Sequence, residues 1–394
     1  MTAEVLVMNT SAVAMAADTA VSISYGGGTK TYTRARKLLP LHESQPLAVM
    51  VSDAPDHLGM PWEVIVGEFR RKKPEPPAKL DGYVETFFQF VDEKATQWIY
   101  PAHEISLLRT VLDREARLLQ ELWDKRLKEP NPPRTGQEMA AAAAEASREF
   151  AAGGRQRQLQ ADQWADHEAQ ELKRLDANIE ARFAAEATGL WDNLQAAVRT
   201  ELVALARDRM MHIAEDERGS SLLVFAGYGS DELFAQAQTW RGSGRLASTT
   251  RRVRRLKLSI TPRFPAVIVP VAQEGVVNSF LQGLHPDVDQ LVVGLLQGLA
   301  GELGDPGLVT GAKRAFDDEI SRRGDEVTRA VEFLPPGDLA TVAGDLIRMT
   351  ALRNRVTMPA DTVAEPIDVV LLSRSDGLRW IAPPGGLRTA ADER

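Results

Sequence analysis

Residues 1–21 read MTAEVLVMNTSAVAMAADTAV, and the pattern of this stretch decides how the rest of the chain is read. Two apolar runs, VLVM (5–8) and AVAMAA (12–17), flank Asn9-Thr10-Ser11, whose composition favours a tight turn. The pattern predicts a β-hairpin that starts just after Thr2 and ends at Asp18. A threonine behind the initiator methionine is small enough for methionine aminopeptidase to expose it as the N-terminus. Its own α-amine, with an ordinary pKa near ~8, can then act as general base for its hydroxyl. A neighbouring ammonium can hold down the pKa of that nucleophile, and a carboxylate can orient the ammonium. Thr2, Asp18 and Lys37, at the head of the next strand, are the candidates for these roles.

The same stretch superficially resembles a secretory signal. Glu4 stands where such a signal carries Lys or Arg, and Asn9-Thr10-Ser11 interrupts the apolar run, so it reads as folded strand. No uninterrupted apolar run approaches the ~20 residues of a spanning helix. A cytoplasmic protein without a membrane partner is expected.

Composition narrows the chemistry further. With 394 residues the chain exceeds one average domain, and its 44% hydrophobic and 26% charged residues are ordinary for a globular protein. There is no cysteine, which excludes disulfides, thiolate metal sites and cysteine nucleophiles. Six histidines are scattered. His103-Glu104 and His167-Glu168 each lack the second histidine of H-E-x-x-H, so no metal is expected. No G-x-S-x-G elbow is present. Gly26-Gly27-Gly28-Thr29-Lys30-Thr31 fails the phosphate-loop pattern, because Thr29 separates the last glycine from Lys30 and no apolar-striped helix follows. No nucleotide or other cofactor is expected. RRVRRLKL (251–258) is the strongest basic run, but it carries no interleaved aromatics and the net charge is −8. It reads as an edge strand whose charges prevent edge-to-edge pairing, not as a nucleic-acid surface.

Organisation follows from periodicity. Strands occupy the first fifty residues, with RKLLPL (36–41) and QPLAVMVS (45–52) after the glycines. The spacing predicts a helix from about Pro55 to Lys72, ending on RRKK, and a second through VETFFQFV (84–91). Narrow apolar stripes between His103 and Ile213, broken by EPNPPRTG and AAGGRQRQ, predict a helical arm or coiled-coil-like hairpin. Strands resume near Ser221 and Pro265, helices run through the region to Leu352, and a hairpin around Ser375-Asp376-Gly377 closes the chain. Separate strand and helix blocks imply a layered α+β fold, not a doubly wound parallel sheet. The expected division is a first core part at 1–100, a helical insertion at 101–215 and a second core part at 216–394.

The run Thr2 … AVAMAADTAVS … ARKLLPL … LAVMVSDAPD resembles the start of proteasome β-type and HslV-type subunits of the N-terminal nucleophile (Ntn) hydrolases. The distance from Thr2 to Asp18 equals that family's own, and about half the chain follows its element order. The resemblance implies a four-layer αββα sandwich and a threonine-type peptidase without a cofactor. Thr2 would be the nucleophile, Lys37 the pKa-lowering lysine and Asp18 its orienting carboxylate. Ser52-Asp53 stands where the family has Gly-Gly, so the Ser52 amide would serve the oxyanion. Asp361 would be the supporting acid near the last strands, and Val271-Ala272-Gln273 stands in place of an auxiliary serine turn. The partners implied are a peptide or protein substrate, further copies of the chain in a homo-oligomer such as a ring, and an ATP-dependent unfoldase. Two alternatives remain open on the same fold: a catalytically silent scaffold subunit and a small-amide acylase.

Overall fold

The hairpin forms as β1 (Glu4–Asn9) and β2 (Ala12–Asp18), antiparallel, with Leu6 opposite Met15 and Met8 opposite Val13. Its turn is closed by Asn9, whose Oδ1 accepts the N–H groups of Ser11 and Ala12 at 2.9 and 3.1 Å. That local hydrogen bonding is why Asn suits the position. Asn9 Nδ2 also donates to the carbonyls of Val331 and Leu334, which ties the turn to a distant helix end.

The computed structural model describes residues 2–95 and 219–382, apart from 26–27, 33, 76, 247–248, 304–305 and 358–365, together with isolated positions between 96 and 218. Met1, Asp361 and nearly all of the expected 101–215 insertion lie outside the described residues. After the first hairpin come β3 (Val21–Tyr25), β4 (Gly28–Tyr32), β5 (Leu38–Pro40), β6 (Leu47–Asp53), β7 (Asp56–His57) and β8 (Met60–Pro61). They are followed by helices α1 (Trp62–Arg71) and α2 (Leu80–Ala95). The later strands are β9 (Ser221–Gly227), β10 (Gln236–Leu246), β11 (Thr249–Ser259) and β12 (Ala266–Ala272). Then α3 (Glu274–Gln282), α4 (Pro286–Leu303), α5 (Pro306–Glu332) and α6 (Pro336–Thr357) precede β13 (Ile367–Ser373) and β14 (Gly377–Ala382).

The fold is mixed α and β with antiparallel sheets. One five-stranded sheet has the order β12-β1-β2-β13-β14, the other β11-β10-β9-β6-β5. Each therefore takes strands from both sides of residues 96–218. The basic run ends up in β11, at one edge, as its charges suggest.

Alternation along β1 and β2 assigns their side chains to two cores. Val5, Val7, Ala12, Ala14 and Ala16 pack with Leu339, Ala343, Leu346 and Ile347 of α6. Leu6, Met8, Val13 and Met15 instead pack with Met50, Val224 and Ala226 of the second sheet. The opposite face of that second sheet buries Val49, Val51, Leu223 and Phe225 under Trp62, Phe69, Tyr83, Phe87 and Phe88. The aromatic rings there meet edge to face, Phe69 with Phe87 at 5.1 Å and Phe87 with Phe225 at 5.4 Å. Such pairs add about 0.5–1.5 kcal/mol each to the burial itself, and Val49 and Val51 of β6 pack in the same core.

Two local expectations differ. The first helix starts at Trp62, not Pro55, because Asp56–Pro61 folds into the small β7–β8 hairpin. Leu58 and Gly59 take φ of 54° and 87° there, and Asp56 Oδ1 accepts the Gly59 N–H at 2.7 Å. The second lies at the glycine stretch, where strands not singled out from the sequence, β3 and β4, pair with each other.

Gly227 ends β9 at φ 135°, and a Cβ there would lie 1.9 Å from the Pro46 carbonyl oxygen. Both the conformation and the backbone contact exclude a side chain. Gly227→Ala is expected to lower the unfolding free energy by about 3 kcal/mol or more, measured by urea denaturation. A change within ordinary surface-mutation scatter would disprove this account of the β6–β9 junction.

Candidate active site at Thr2

Thr2 precedes β1 and is half-buried. Its Oγ1 accepts a hydrogen bond from Lys37 Nζ at 3.3 Å. Lys37 Nζ also donates to Asp18 Oδ1 at 2.7 Å, in an ion pair whose side chains are 5% and 0% exposed. Lys37 reaches this point because its own carbonyl accepts the Val51 N–H at 2.9 Å, which docks the chain just before β5 against β6.

Asp18 does more than face the lysine. Its Oδ1 accepts the Ala3 N–H at 2.8 Å and its Oδ2 the Ala20 N–H at 3.0 Å, while its own N–H donates to the Ala3 carbonyl at 3.1 Å. One carboxylate thus fixes both the ammonium and the peptide next to Thr2. The arrangement needs a hairpin of this length, because Ala3 and Asp18 must meet at its open end. A buried ion pair is tolerated only when remaining lone pairs and protons find partners, and here the backbone supplies them.

Beyond Lys37, β6 ends on Ser52 and Asp53. The Val51 N–H faces Lys37, and the Ala54 N–H donates to the Ser220 carbonyl at 3.0 Å. N–H groups alternate along a strand, and Ser52 pairs with Leu222 of β9. The Ser52 N–H is therefore taken up toward β9, and the Asp53 N–H is the one that turns to the Lys37 side.

Asp53 has φ 63°, in the left-handed region that favours glycine. Its half-exposed carboxylate is paired with Arg241 Nη1 at 2.8 Å, and the same Nη1 donates to Ser220 Oγ at 2.8 Å. The charge of Asp53 is thereby compensated from β10. Ser221 Oγ secures the following turn by accepting from Trp62 Nε1 at 2.8 Å and donating to the Ala54 carbonyl at 2.9 Å.

Glu4 was not singled out as a site residue, yet it is completely buried. It shares the strand phase of Leu6 and Met8 and lies opposite Ala17, so its side chain enters the layer between the sheets. Neither of its carboxyl oxygens has a hydrogen-bond partner, nor has Ser52 Oγ. Burial pushes its pKa up to about 8; Lys37 pulls it down in part, the Asp18 charge raises it again, and Ser52 lies close enough to lower it slightly. The signal was present in the sequence as a charged residue in the inward phase of an otherwise apolar strand.

Gln273, at the end of the Val271-Ala272-Gln273 stretch, follows β12 directly. It takes φ 51° as the residue capping α3, and its Oε1 accepts from Asn354 Nδ2 on α6. His57 is buried against Trp62 at 5.3 Å, and burial, with Arg245 nearby, holds its pKa down to about 4. Among the described residues no three His, Asp or Glu side chains converge as a metal would require, and no helix is long and apolar enough to cross a membrane.

Comparison with known proteins corrects the family resemblance. No family model matches the chain and no curated protein matches it. Among solved structures it is similar to an Anbu (Gly-1) mutant from Hyphomicrobium sp. strain MC1, at 10% identity over 97% of this chain and 88% of that one, with a TM-score of 0.30. It is also similar to Anbu (ancestral beta-subunit) from Yersinia bercovieri, at 9% identity over 96% of this chain and 86% of that one, again with a TM-score of 0.30. Likeness at that level carries no argument about activity. Membership of the proteasome β-type and HslV-type family is therefore not retained. The physical reason is that Thr2, Asp18 and Lys37 constrain one hairpin and the head of one strand, which is too little chain to define a family.

Proposed function

We propose that the chain is a threonine-type amide hydrolase, most simply a peptidase, that works through the N-terminal Thr2 after removal of Met1. The observation that carries this reading is the buried relay in which Lys37 Nζ is 2.7 Å from Asp18 and 3.3 Å from Thr2 Oγ1. A cation held that close favours the ionised form of a hydroxyl. Thr2 Oγ attacks the amide carbon of the substrate and its proton passes to the α-amine of Thr2. The Asp53 N–H donates to the developing oxyanion, with Arg241 offsetting the Asp53 carboxylate. The C–N bond then breaks as the α-ammonium returns the proton to the leaving amine. Water, deprotonated by the same α-amine, hydrolyses the ester left on Thr2 and frees the acid.

The reading includes an αββα sandwich, supported by one core between the sheets and one on each outer face. It takes residues 1–100 and 216–394 as two parts of that core with 101–215 inserted. A silent scaffold is the second reading, favoured by an aspartate at φ 63° where the oxyanion donor is needed.

A peptide epoxyketone separates the two, because its adduct needs both the hydroxyl and a free α-amine on one threonine. We expect an intact mass lacking Met1, one stoichiometric adduct on Thr2, and none in Thr2→Ala. Retention of Met1, or an adduct that persists in Thr2→Ala, would end the hydrolase reading.

A further inference from the structure

The relay explains Thr2, Asp18 and Lys37 but leaves Glu4 unused. Several parts of the fold set the surroundings of its buried carboxyl. β1 carries it two residues from Thr2, and β2 contributes Asp18 beside its partner Ala17. The segment before β5 contributes Lys37, and β6 contributes Ser52 and Asp53. Asp368 of β13 also lies opposite Ala17 and is buried in the same strand phase, one strand further across. On the remaining side β12 brings Ala272, which carries no charge. Among the described residues Lys37 is the cation whose charge acts on Glu4, and Asp18 and Thr2 already share it.

We propose that Glu4 is a positioning residue whose protonation gates the Thr2 centre: protonated, it leaves Lys37 to Asp18 and Thr2; ionised, it competes for the same ammonium and disarms the nucleophile. This rests on the reading of Thr2 as the nucleophile. The step is the loss of one proton from the Glu4 carboxyl to solvent, with no other bond made or broken. With Glu4 neutral, the charges of Asp18 and Lys37 cancel and the Lys37 field acts on Thr2 Oγ. With Glu4 ionised, two carboxylates face one ammonium, and the added negative charge raises the pKa of both the Thr2 hydroxyl and its amine. Burial keeps the acid neutral up to about pH 8, so the gate closes on the alkaline side.

The test compares the full-length wild type with Glu4→Gln, the neutral isostere, and Glu4→Met as a second neutral variant should the first fold poorly. The rate of Thr2 labelling by the epoxyketone is followed from about pH 6 to about pH 10. Wild type is expected to lose about tenfold per pH unit above about pH 8. The neutral variants keep the wild-type rate near neutrality within about threefold and hold it for at least about one further pH unit. Glu4→Asp restores a descent at a shifted midpoint.

A second arm needs no reactivity. The side-chain carbon resonance of Lys37, assigned with Lys37→Arg, should move with a midpoint near pH 8 in the wild type and not in Glu4→Gln. Thr2 labelling with the same alkaline descent in both proteins overturns the gate while sparing the nucleophile. A Glu4-dependent Lys37 shift in a protein that labels nowhere keeps the coupling and removes the nucleophile. A Lys37 resonance indifferent to Glu4 overturns the proposal in either case.

Discussion

Lys37→Met is expected to cut Thr2 labelling on the order of 10²–10³-fold and to lower the unfolding free energy by about 3–5 kcal/mol. Both effects come from the same geometry. The ammonium is the only cation within hydrogen-bond reach of Thr2 Oγ1 among the described contacts, and it is also the ion-pair partner of a fully buried carboxylate. Removing one member of a buried pair leaves the other uncompensated, which costs more than the pair itself contributed. Asp18 keeps the Ala3 and Ala20 N–H groups, so the loss should fall toward the lower end of that range. The double variant Lys37→Met/Asp18→Asn should recover part of the stability but none of the reactivity, because it removes the orphaned charge and leaves Thr2 without a cation. Urea denaturation and epoxyketone labelling read the two effects separately. Labelling of Lys37→Met at the wild-type rate would exclude the relay.

Glu4→Gln should make the protein more stable than wild type at alkaline pH, by up to about 3–5 kcal/mol, with little difference in mild acid. The folded-state pKa of Glu4 is raised from 4.5 to about 8, chiefly by burial. The native state therefore holds a proton that the unfolded state has released across that window. The stability linked to it is fully present below the unfolded pKa and is lost as pH rises through the folded one. Glutamine does not titrate, so the variant escapes this loss. His57 has the opposite signature: its pKa is lowered to about 4, so its contribution is lost as pH falls from about 6.5. The difference between the two proteins at each pH cancels His57 and isolates Glu4. Parallel stability curves for wild type and Glu4→Gln between about pH 5 and about pH 9 would mean that Glu4 is ionised in the fold.

These two residues show how unevenly the site could be read in advance. Thr2, Asp18 and Lys37 are legible only as residue types near the early strands, and their roles are what the family resemblance implies, since no spacing rule ties the three together. Glu4 is equally visible in the sequence, where its phase with Leu6 and Met8 turns it inward. At the end of β6 the direction of an amide depends on which neighbour the ladder takes up. That neighbour is β9, whose Leu222 follows Ser52 by 170 positions. Arg241, which compensates Asp53, stands 188 positions away from it.

By itself the sequence determined the local pieces: a hairpin closed by Asn9, a threonine at its open end, an aspartate at the far end of its second strand, and alternation that sorts β1 and β2 between two cores. Turn chemistry and strand periodicity act over a few residues, so they can be read without a fold. Tertiary structure alone decided that β6 pairs with β9, that Arg241 meets Asp53, and that Glu4 is fully buried where the Lys37 charge acts on it. Those outcomes depend on register between strands far apart in the chain, and on the exclusion of water that follows when the two sheets close. Neither is encoded in any short stretch.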